Sequence, residues 1–264
     1  MRTRIADQDA AVATGGEALR PGLPALVFLH GAGCDSTVWT LFARFFARSG
    51  FNVIAPSLPA HDGSGGAALE SIEAMAGWIH QLLDRLQIER AHLVGHSLGS
   101  LIAMEAAGMR AERFERLVLL GTAVPMAVGD PLLDAARRHD GAAIDMILQF
   151  GHAYRSLLGA NRVAGIHIVN ATGRLLYRHL NGVLYADLNA CRNYTHGIDA
   201  ARRWARRASL ILGTEDRMTP PAAARALIEA LPDPDVVMIP DCGHMLMSEQ
   251  PEAVHRALRR ALTA

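Results

Sequence analysis

Apolar residues along this chain alternate between short solid runs and stretches spaced by three and four. The solid runs are Ala25-Leu26-Val27-Phe28-Leu29, Asn52-Val53-Ile54-Ala55, Ala91-His92-Leu93-Val94, Leu117-Val118-Leu119-Leu120, Ser209-Leu210-Ile211-Leu212 and Val236-Val237-Met238-Ile239. Runs this short and continuous predict strands buried on both faces of a parallel sheet. Between them lie helical patterns. Val38, Leu41, Phe42, Phe45 and Phe46 share one face of a helix ending near Gly50, and from Ser71 a longer helix carries Ile72, Met75, Ala76, Ile79, Leu82, Leu83 and Leu86. A helix rich in small residues follows Val94, and further helices are expected at about 220–230 and 249–262, the first with Thr219 as N-cap and Pro220 at its opening position. Strand–helix alternation of this kind predicts an open, mostly parallel sheet with helices on both faces, an α/β fold. Residues 3–14 predict an antiparallel hairpin at one edge.

Residues 122–207 interrupt the alternation. They read as helical and contain no buried-strand run, which predicts a helical cap (lid) inserted into a core of residues 1–121 and 208–264. All four tyrosines, Tyr154, Tyr177, Tyr185 and Tyr194, fall within this insert, as do the paired arginines Arg202, Arg203, Arg206 and Arg207. The tyrosines could line a pocket or pack between helices; the arginines read first as a solvated face.

Charge narrows the function classes. Of 264 residues, 26 are basic and 26 acidic, a balance unlike that of a nucleic-acid or anionic-membrane binder. Every basic residue is arginine, so Schiff-base lysine chemistry and a P-loop lysine are excluded. Three widely spaced cysteines, Cys34, Cys191 and Cys242, form no disulfide framework and suit a reducing compartment. The N-terminal residues show no apolar signal-peptide core, and no apolar run is long enough to span a bilayer, so the expected location is cytoplasmic.

The chemistry begins at Gly95-His96-Ser97-Leu98-Gly99, where G-x-S-x-G joins a strand to a helix. Such a sharp turn strains its central residue and leaves no room for side chains two positions either side. It presents the Ser97 hydroxyl at the carboxyl edge of the sheet beside a helix N-terminus. A serine nucleophile needs a base, and His244 follows the last strand at the same edge; an imidazole titrates near pH ~6.5, suited to taking and returning a proton. The imidazole needs an orienting acid. Asp216 follows the strand at 209–212, with Glu215 and Asp241 as rivals. The chain order Ser97, Asp216, His244 belongs to one triad architecture among several. Two N–H donors for an oxyanion are expected from Leu98, directly after the serine, and from Ala32 in His30-Gly31-Ala32-Gly33. Gly33, Met218 and Met245 are candidates for the substrate wall. No metal-ligand spacing is present, and the histidines of the insert lack an i, i+4 pair, so no metal or cofactor is expected.

With these motifs the chain resembles the α/β-hydrolase superfamily, in its lid-bearing serine hydrolase, esterase-like branch. The resemblance runs from about residue 25 to 262. It rests on Leu29-His30-Gly31-Ala32-Gly33, Val53-Ile54-Ala55-Pro56, Pro59-Ala60-His61, the Ser97 pentapeptide, Gly213 to Pro220, and Gly243-His244-Met245 running into Glu249-Gln250-Pro251. It implies an eight-stranded sheet and an acyl-enzyme mechanism without a cofactor. Two departures stand out. The family's D-x-P-G-H-G loop reads Ser57-Leu58-Pro59-Ala60-His61-Asp62 here, losing one acid and gaining another. The nucleophile is serine, which disfavours the aspartate-dependent dehalogenase and epoxide hydrolase chemistries. Three functions remain open on the sequence: hydrolysis of small or medium apolar acyl esters; the same triad acting on a C–C bond beside a ketone, a lactone, a thioester or an amide; and a non-catalytic ligand-binding relative. A small-molecule substrate is the expected partner.

Overall fold

The computed structural model describes residues 1–160 and 166–263. Residues 161–165, part of the expected cap, lie outside the described residues. In chain order the strands are β1 (Arg2–Ile5), β2 (Gln8–Ala13), β3 (Ala25–Leu29), β4 (Asn52–Pro56), β5 (Ala91–His96), β6 (Phe114–Leu120), β7 (Ser209–Gly213) and β8 (Asp235–Ile239). The helices are α1 (Thr40–Arg48), α2 (Ile72–Arg85), α3 (Leu98–Met109), α4 (Asp130–Arg137), α5 (Ala142–Gly151), α6 (Tyr154–Leu157), α7 (Ile168–Tyr177), α8 (Val183–Asn193), α9 (Gly197–Trp204), α10 (Arg225–Ala230), α11 (Leu246–Glu249) and α12 (Pro251–Thr263).

The strands form one eight-stranded sheet in the order β1-β2-β4-β3-β5-β6-β7-β8. From β4 through β8 the pairings are parallel, while β1 and β2 make an antiparallel hairpin that joins β4 at the edge. Side chains alternate between two cores, as a period of two requires. Val27, Leu29, Ile54, Leu93, Leu117, Leu119 and Leu210 pack with α2, α3 and α9. Leu26, Phe28, Val53, Val94, Val118, Leu120 and Ile211 pack with α1 and α12. Burial of both faces explains why β3 to β7 read as solid apolar runs; β8, expected to be buried likewise, is an edge strand and leaves Val236 and Met238 exposed on one face.

The strand order reverses at β3, whose neighbours are β4 on one side and β5 on the other. In open α/β sheets a crevice opens beyond the carboxyl ends of the strands at such a point. Here the register pairs Leu29 with Gly95, so the loops at 30–33 and 96–97 leave the sheet side by side.

Helices α4 to α8 form a separate layer with a small apolar core of its own, including Leu133, Ile144, Ile147, Leu176, Leu184 and Leu188. Helix α9 differs. It lies against α3 so closely that a Cβ on Gly108 would come within 2.9 Å of Ala200 Cα, and Trp204 is buried in the main core. Small residues on both helices permit that approach, so the stretch read as cap from 122 to 207 ends on a helix of the core layer. Residues 219–224 differ locally from expectation. The helix expected at 220–230 opens as a 3-10 turn, Pro221–Ala224, with no side-chain cap. The Thr219 hydroxyl, expected as that cap, instead bonds the Asp216 carboxylate. By contrast Ser71 caps α2 through the Ala74 N–H.

The packing yields a paired prediction. A Cβ on Gly99 would lie 2.3 Å from the Leu29 carbonyl oxygen, a backbone atom that cannot swing aside. Gly99→Ala is expected to destabilise the protein by about 3 kcal/mol. Gly77 on α2 has open space where its Cβ would stand. Gly77→Ala is expected to stabilise by about 0.5–1 kcal/mol. Thermal unfolding of both variants checks the contrast.

Candidate active site

Ser97 sits between β5 and α3 with φ 54 and ψ −120. Non-glycine residues pay a strain cost for that conformation, and here the surroundings impose it. A Cβ on Gly95 would lie 2.1 Å from the Gly99 carbonyl oxygen, and the Ser97 N–H donates to Leu120 O at 3.0 Å. The Ser100 hydroxyl donates to Ser97 O at 2.6 Å, tying down the other side of the turn. Leu98 is the first residue of α3, so its N–H has no intrahelical acceptor. The loop at 30–33 lies directly on the serine, since a Cβ on Gly31 would be 3.2 Å from Ser97 Cβ.

His244 follows β8 and α11 begins just after it. Its Nδ1–H donates to Asp216 Oδ2 at 2.8 Å, and both side chains are buried. The other Asp216 oxygen accepts from the Met218 and Thr219 N–H groups at 2.9 and 2.8 Å, while the Thr219 hydroxyl donates to Oδ2 at 2.7 Å. Burial alone would push the Asp216 carboxyl up; the His244 charge and these donors outweigh it and hold the pKa below the ordinary value. The rival acids are engaged elsewhere. Glu215 accepts from the Tyr154 N–H, and Asp241 pairs with Arg155.

Ser97 and His244 open into one cavity of about 280 Å³ beneath the helical layer. Its wall is mainly apolar and includes Met126, Val128, Leu132, Ile147, Leu188 and Met245. Ala32, Met218 and Thr219 also line it. Gly33, expected at the substrate wall, does not. It turns toward the helical layer, with φ +64 and a Cβ direction blocked by Leu184 Cδ1 at 2.7 Å. None of the four tyrosines lines the cavity. Tyr194 is buried, and its hydroxyl donates to Glu105 at 2.5 Å. Cys34 does line the cavity, but burial pushes its thiol up to about 12, so it is a poor rival nucleophile.

His96 and Glu249 fall inside the motifs quoted above without an assigned role, and Gly151 falls outside them. His96, inside the pentapeptide, donates from Nε2 to the His244 carbonyl at 2.8 Å; burial and the neighbouring His244 lower its pKa to about 3, which keeps it neutral. The buried Glu249 carboxylate accepts from Gly243 N–H, Ala153 N–H and Ser156 Oγ, joining the histidine loop to the insert. Gly151 O accepts from both His244 N–H and Met245 N–H. Among the described residues no cluster of three or more His, Cys, Asp or Glu could hold a metal ion, and no helix is long and apolar enough to cross a membrane.

The sheet order, the strained serine turn and the buried Asp–His pair at one sheet edge are those of an α/β hydrolase. The alpha/beta hydrolase family model matches residues 26–257, and the chain belongs to that family and is a hydrolase. It is 31% identical over 246 residues to a pimeloyl-[acyl-carrier protein] methyl ester esterase of Aromatoleum aromaticum, covering 87% of this chain and 94% of that one. It is 29% identical over 255 residues to a 2-hydroxy-6-oxononadienedioate/2-hydroxy-6-oxononatrienedioate hydrolase of Burkholderia vietnamiensis, covering 89% and 85%. In fold it is similar to the enol-lactonase from Burkholderia xenovorans LB400, with a TM-score of 0.86, 23% identity and full coverage of both chains.

The Asp216 environment sets a pH dependence. A carboxyl whose folded pKa is depressed contributes stability above its ordinary value, near 3.8, and loses it as pH falls through the lower folded value. Thr219→Val removes one donor to the charged form and brings the folded value closer to the ordinary one, so the loss, which begins near the ordinary value in both proteins, should be smaller and complete at a higher pH than in the parent. At neutral pH the variant is expected to be about 2 kcal/mol less stable. Unfolding midpoints recorded from about pH 6 down to about pH 2 test both expectations.

Proposed function

We propose that the protein is a serine hydrolase that cleaves carboxylic esters of small or medium apolar acyl groups. In this reading Ser97 Oγ attacks the ester carbonyl while His244 Nε2 takes its proton. Asp216 holds His244 Nδ1–H and favours the imidazolium that forms. The Ala32 and Leu98 N–H groups receive the oxyanion. The alcohol leaves with the proton from His244, and a water activated by the same imidazole releases the acid from Ser97. The helical insert acts as a lid that excludes bulk water from the cavity. The observation that carries this reading is the buried Asp216–His244 hydrogen bond opening, with the strained Ser97, into one apolar cavity.

The apolar acyl preference rests on the cavity wall. Arg217 is its one cationic arginine among the described lining residues, and that guanidinium is already engaged. It donates to Gln149 O and to His152 O, and it lies 5.4 Å from the Phe150 ring centroid. Away from Arg217 the described wall is mainly apolar, so a second carboxylate on the acyl chain would be buried unpaired, which is costly. This favours a neutral monoester over the dioate for which the Burkholderia vietnamiensis relative is named. The cysteines form no disulfide, which accords with a reducing, cytoplasmic setting.

A chromogenic ester panel of increasing acyl length tests the reading. The parent should turn over short and medium acyl chains, and Ser97→Ala should lose roughly 10⁴-fold or more in kcat. Equal turnover by both proteins would remove Ser97 from the mechanism. Silence of both proteins toward esters, with Ser97-dependent labelling by a fluorophosphonate probe, would transfer the triad to a lactone, thioester, amide or C–C substrate. Silence without labelling would leave a binding protein. Met146 lines the cavity from α5, so Met146→Trp should shorten the longest acyl chain accepted, read as a shift in the kcat/KM optimum on the same panel.

A further inference from the structure

The loop expected to supply the Ala32 N–H is held from the helical insert. The Gly33 N–H donates to Asp187 Oδ2 at 2.8 Å, and the Gly33 carbonyl accepts from His179 Nδ1 at 2.9 Å. Asp187 lies on α8 and His179 just beyond α7. The same Asp187 oxygen accepts from His61 Nε2 at 2.9 Å, and His61 Nδ1 donates to Pro59 O at 3.1 Å. His179 Nε2 accepts from the Asp62 N–H at 3.1 Å. On the core side, His30 Nδ1 donates to Gly31 O at 3.0 Å and Nε2 accepts from the Leu58 N–H at 3.1 Å. His30, His61, His179 and Asp187 are all buried.

These contacts bear on the Ala32 N–H through one peptide plane. In a trans peptide the Ala32 N–H points opposite to the Gly31 carbonyl. That carbonyl accepts from His30 and from the Cys34 N–H at 3.1 Å, which closes the turn at 31–34. Gly33 is the flexible point of the turn, with φ +64, and glycine imposes little torsional preference of its own. Its two hydrogen bonds to the insert remove that freedom. Fold stability by itself does not call for a carboxylate here. Asp187 is 0% exposed, and its Oδ1 has no partner among the described residues, an arrangement that disfavours folding relative to an apolar side chain.

We propose that Asp187 is a positioning residue. Through Gly33 it keeps the Ala32 N–H aimed at the oxyanion, so that the oxyanion site is complete only while the insert is docked. The inference rests on the triad reading above. It also gives the unusual loop at 57–62 a role: His61 carries the proton that neutralises Asp187, and Asp62 pairs with Arg178 of the insert at 3.2 Å. Burial works against charge on His61, but the Asp187 carboxylate outweighs it and raises its pKa.

The test compares the parent with Asp187→Ala, Asp187→Asn and Ser97→Ala. Activity on a p-nitrophenyl ester is normalised to sites titrated with a fluorophosphonate, and inhibition by a boronic acid of the same acyl skeleton is measured in parallel. A boronate bound to serine mimics the tetrahedral intermediate and needs the same N–H donors. Asp187→Ala should lower kcat roughly 10- to 100-fold with KM unchanged, and weaken boronate inhibition by the same factor. Asp187→Asn keeps an oxygen for the Gly33 N–H and should stay close to the parent. Parental kcat and boronate affinity in Asp187→Ala would overturn the inference, as would a loss confined to thermal stability or to the fraction of titratable sites. If Ser97→Ala abolishes turnover while Asp187→Ala leaves it intact, the positioning inference alone fails. If Ser97→Ala retains turnover, the triad reading falls and the inference with it. Should Asp187→Ala not fold, amide hydrogen exchange of the parent decides. Gly33 and α8 opening at one common rate supports the coupling, and Gly33 exchanging independently of α8 overturns it.

Discussion

The structure depends on the close approach of α3 to the loop that leaves β3. Gly99 comes so near the Leu29 and His30 carbonyls that no side chain fits between them, and Gly95 comes as near to Gly99 itself. The chain therefore turns from strand to helix with a single residue, and that residue is a serine in a conformation it would not adopt alone. Burial of both sheet faces holds the turn in place. The same contact sets the loop at 30–33 against Ser97 and the start of α3 beneath it, so strain, N–H donors and hydroxyl share one origin.

Around that turn the parallel sheet gathers the remaining parts. Every strand from β4 to β8 runs the same way, so the loops after β3, β5, β7 and β8 all emerge at one edge. Asp216 and His244 come from two of those loops, and the low-dielectric surroundings strengthen the bond between them. The helical insert is anchored to three of these loops by polar contacts. Asp187 and His179 hold the loop after β3, the Gln149 and His152 carbonyls receive Arg217 after β7, and Gly151 and Glu249 connect to the loop after β8. The cavity is thus bounded by a mainly apolar wall, with Arg217 the one of these fastenings that also reaches the lining.

Much of this was legible along the chain. Five of the six apolar runs became inner strands, because burial on both faces leaves no polar alternation to confuse them; the sixth became the edge strand β8, with one face exposed. The residues expected to act together did converge on one cavity: Ser97, His244, Ala32, Met218 and Met245 line it, and Asp216 stands behind His244. Other expectations failed for local reasons. Thr219 is a good N-cap residue by type, but its hydroxyl is held as a donor to the Asp216 carboxylate, and the turn at Pro221–Ala224 has no side-chain cap. Gly33 adjoins a donor in sequence, yet Leu184 and Asp187 occupy the space around it. Of the tyrosines of the insert, Tyr194 is buried and bonds Glu105, Tyr154 and Tyr177 are exposed, and none lines the cavity.

What the sequence by itself determined is the sheet and which candidate residues gather at one of its edges, because period, turn chemistry and the glycine–serine–glycine spacing are local properties. Only the tertiary structure decided the pairing of His61 with Asp187, the hold of His179 on Gly33, the engagement of Arg217, and the membership of α9 in the core. Those depend on which side chains meet across the chain, where distance and burial choose the partners, and no local pattern records that choice.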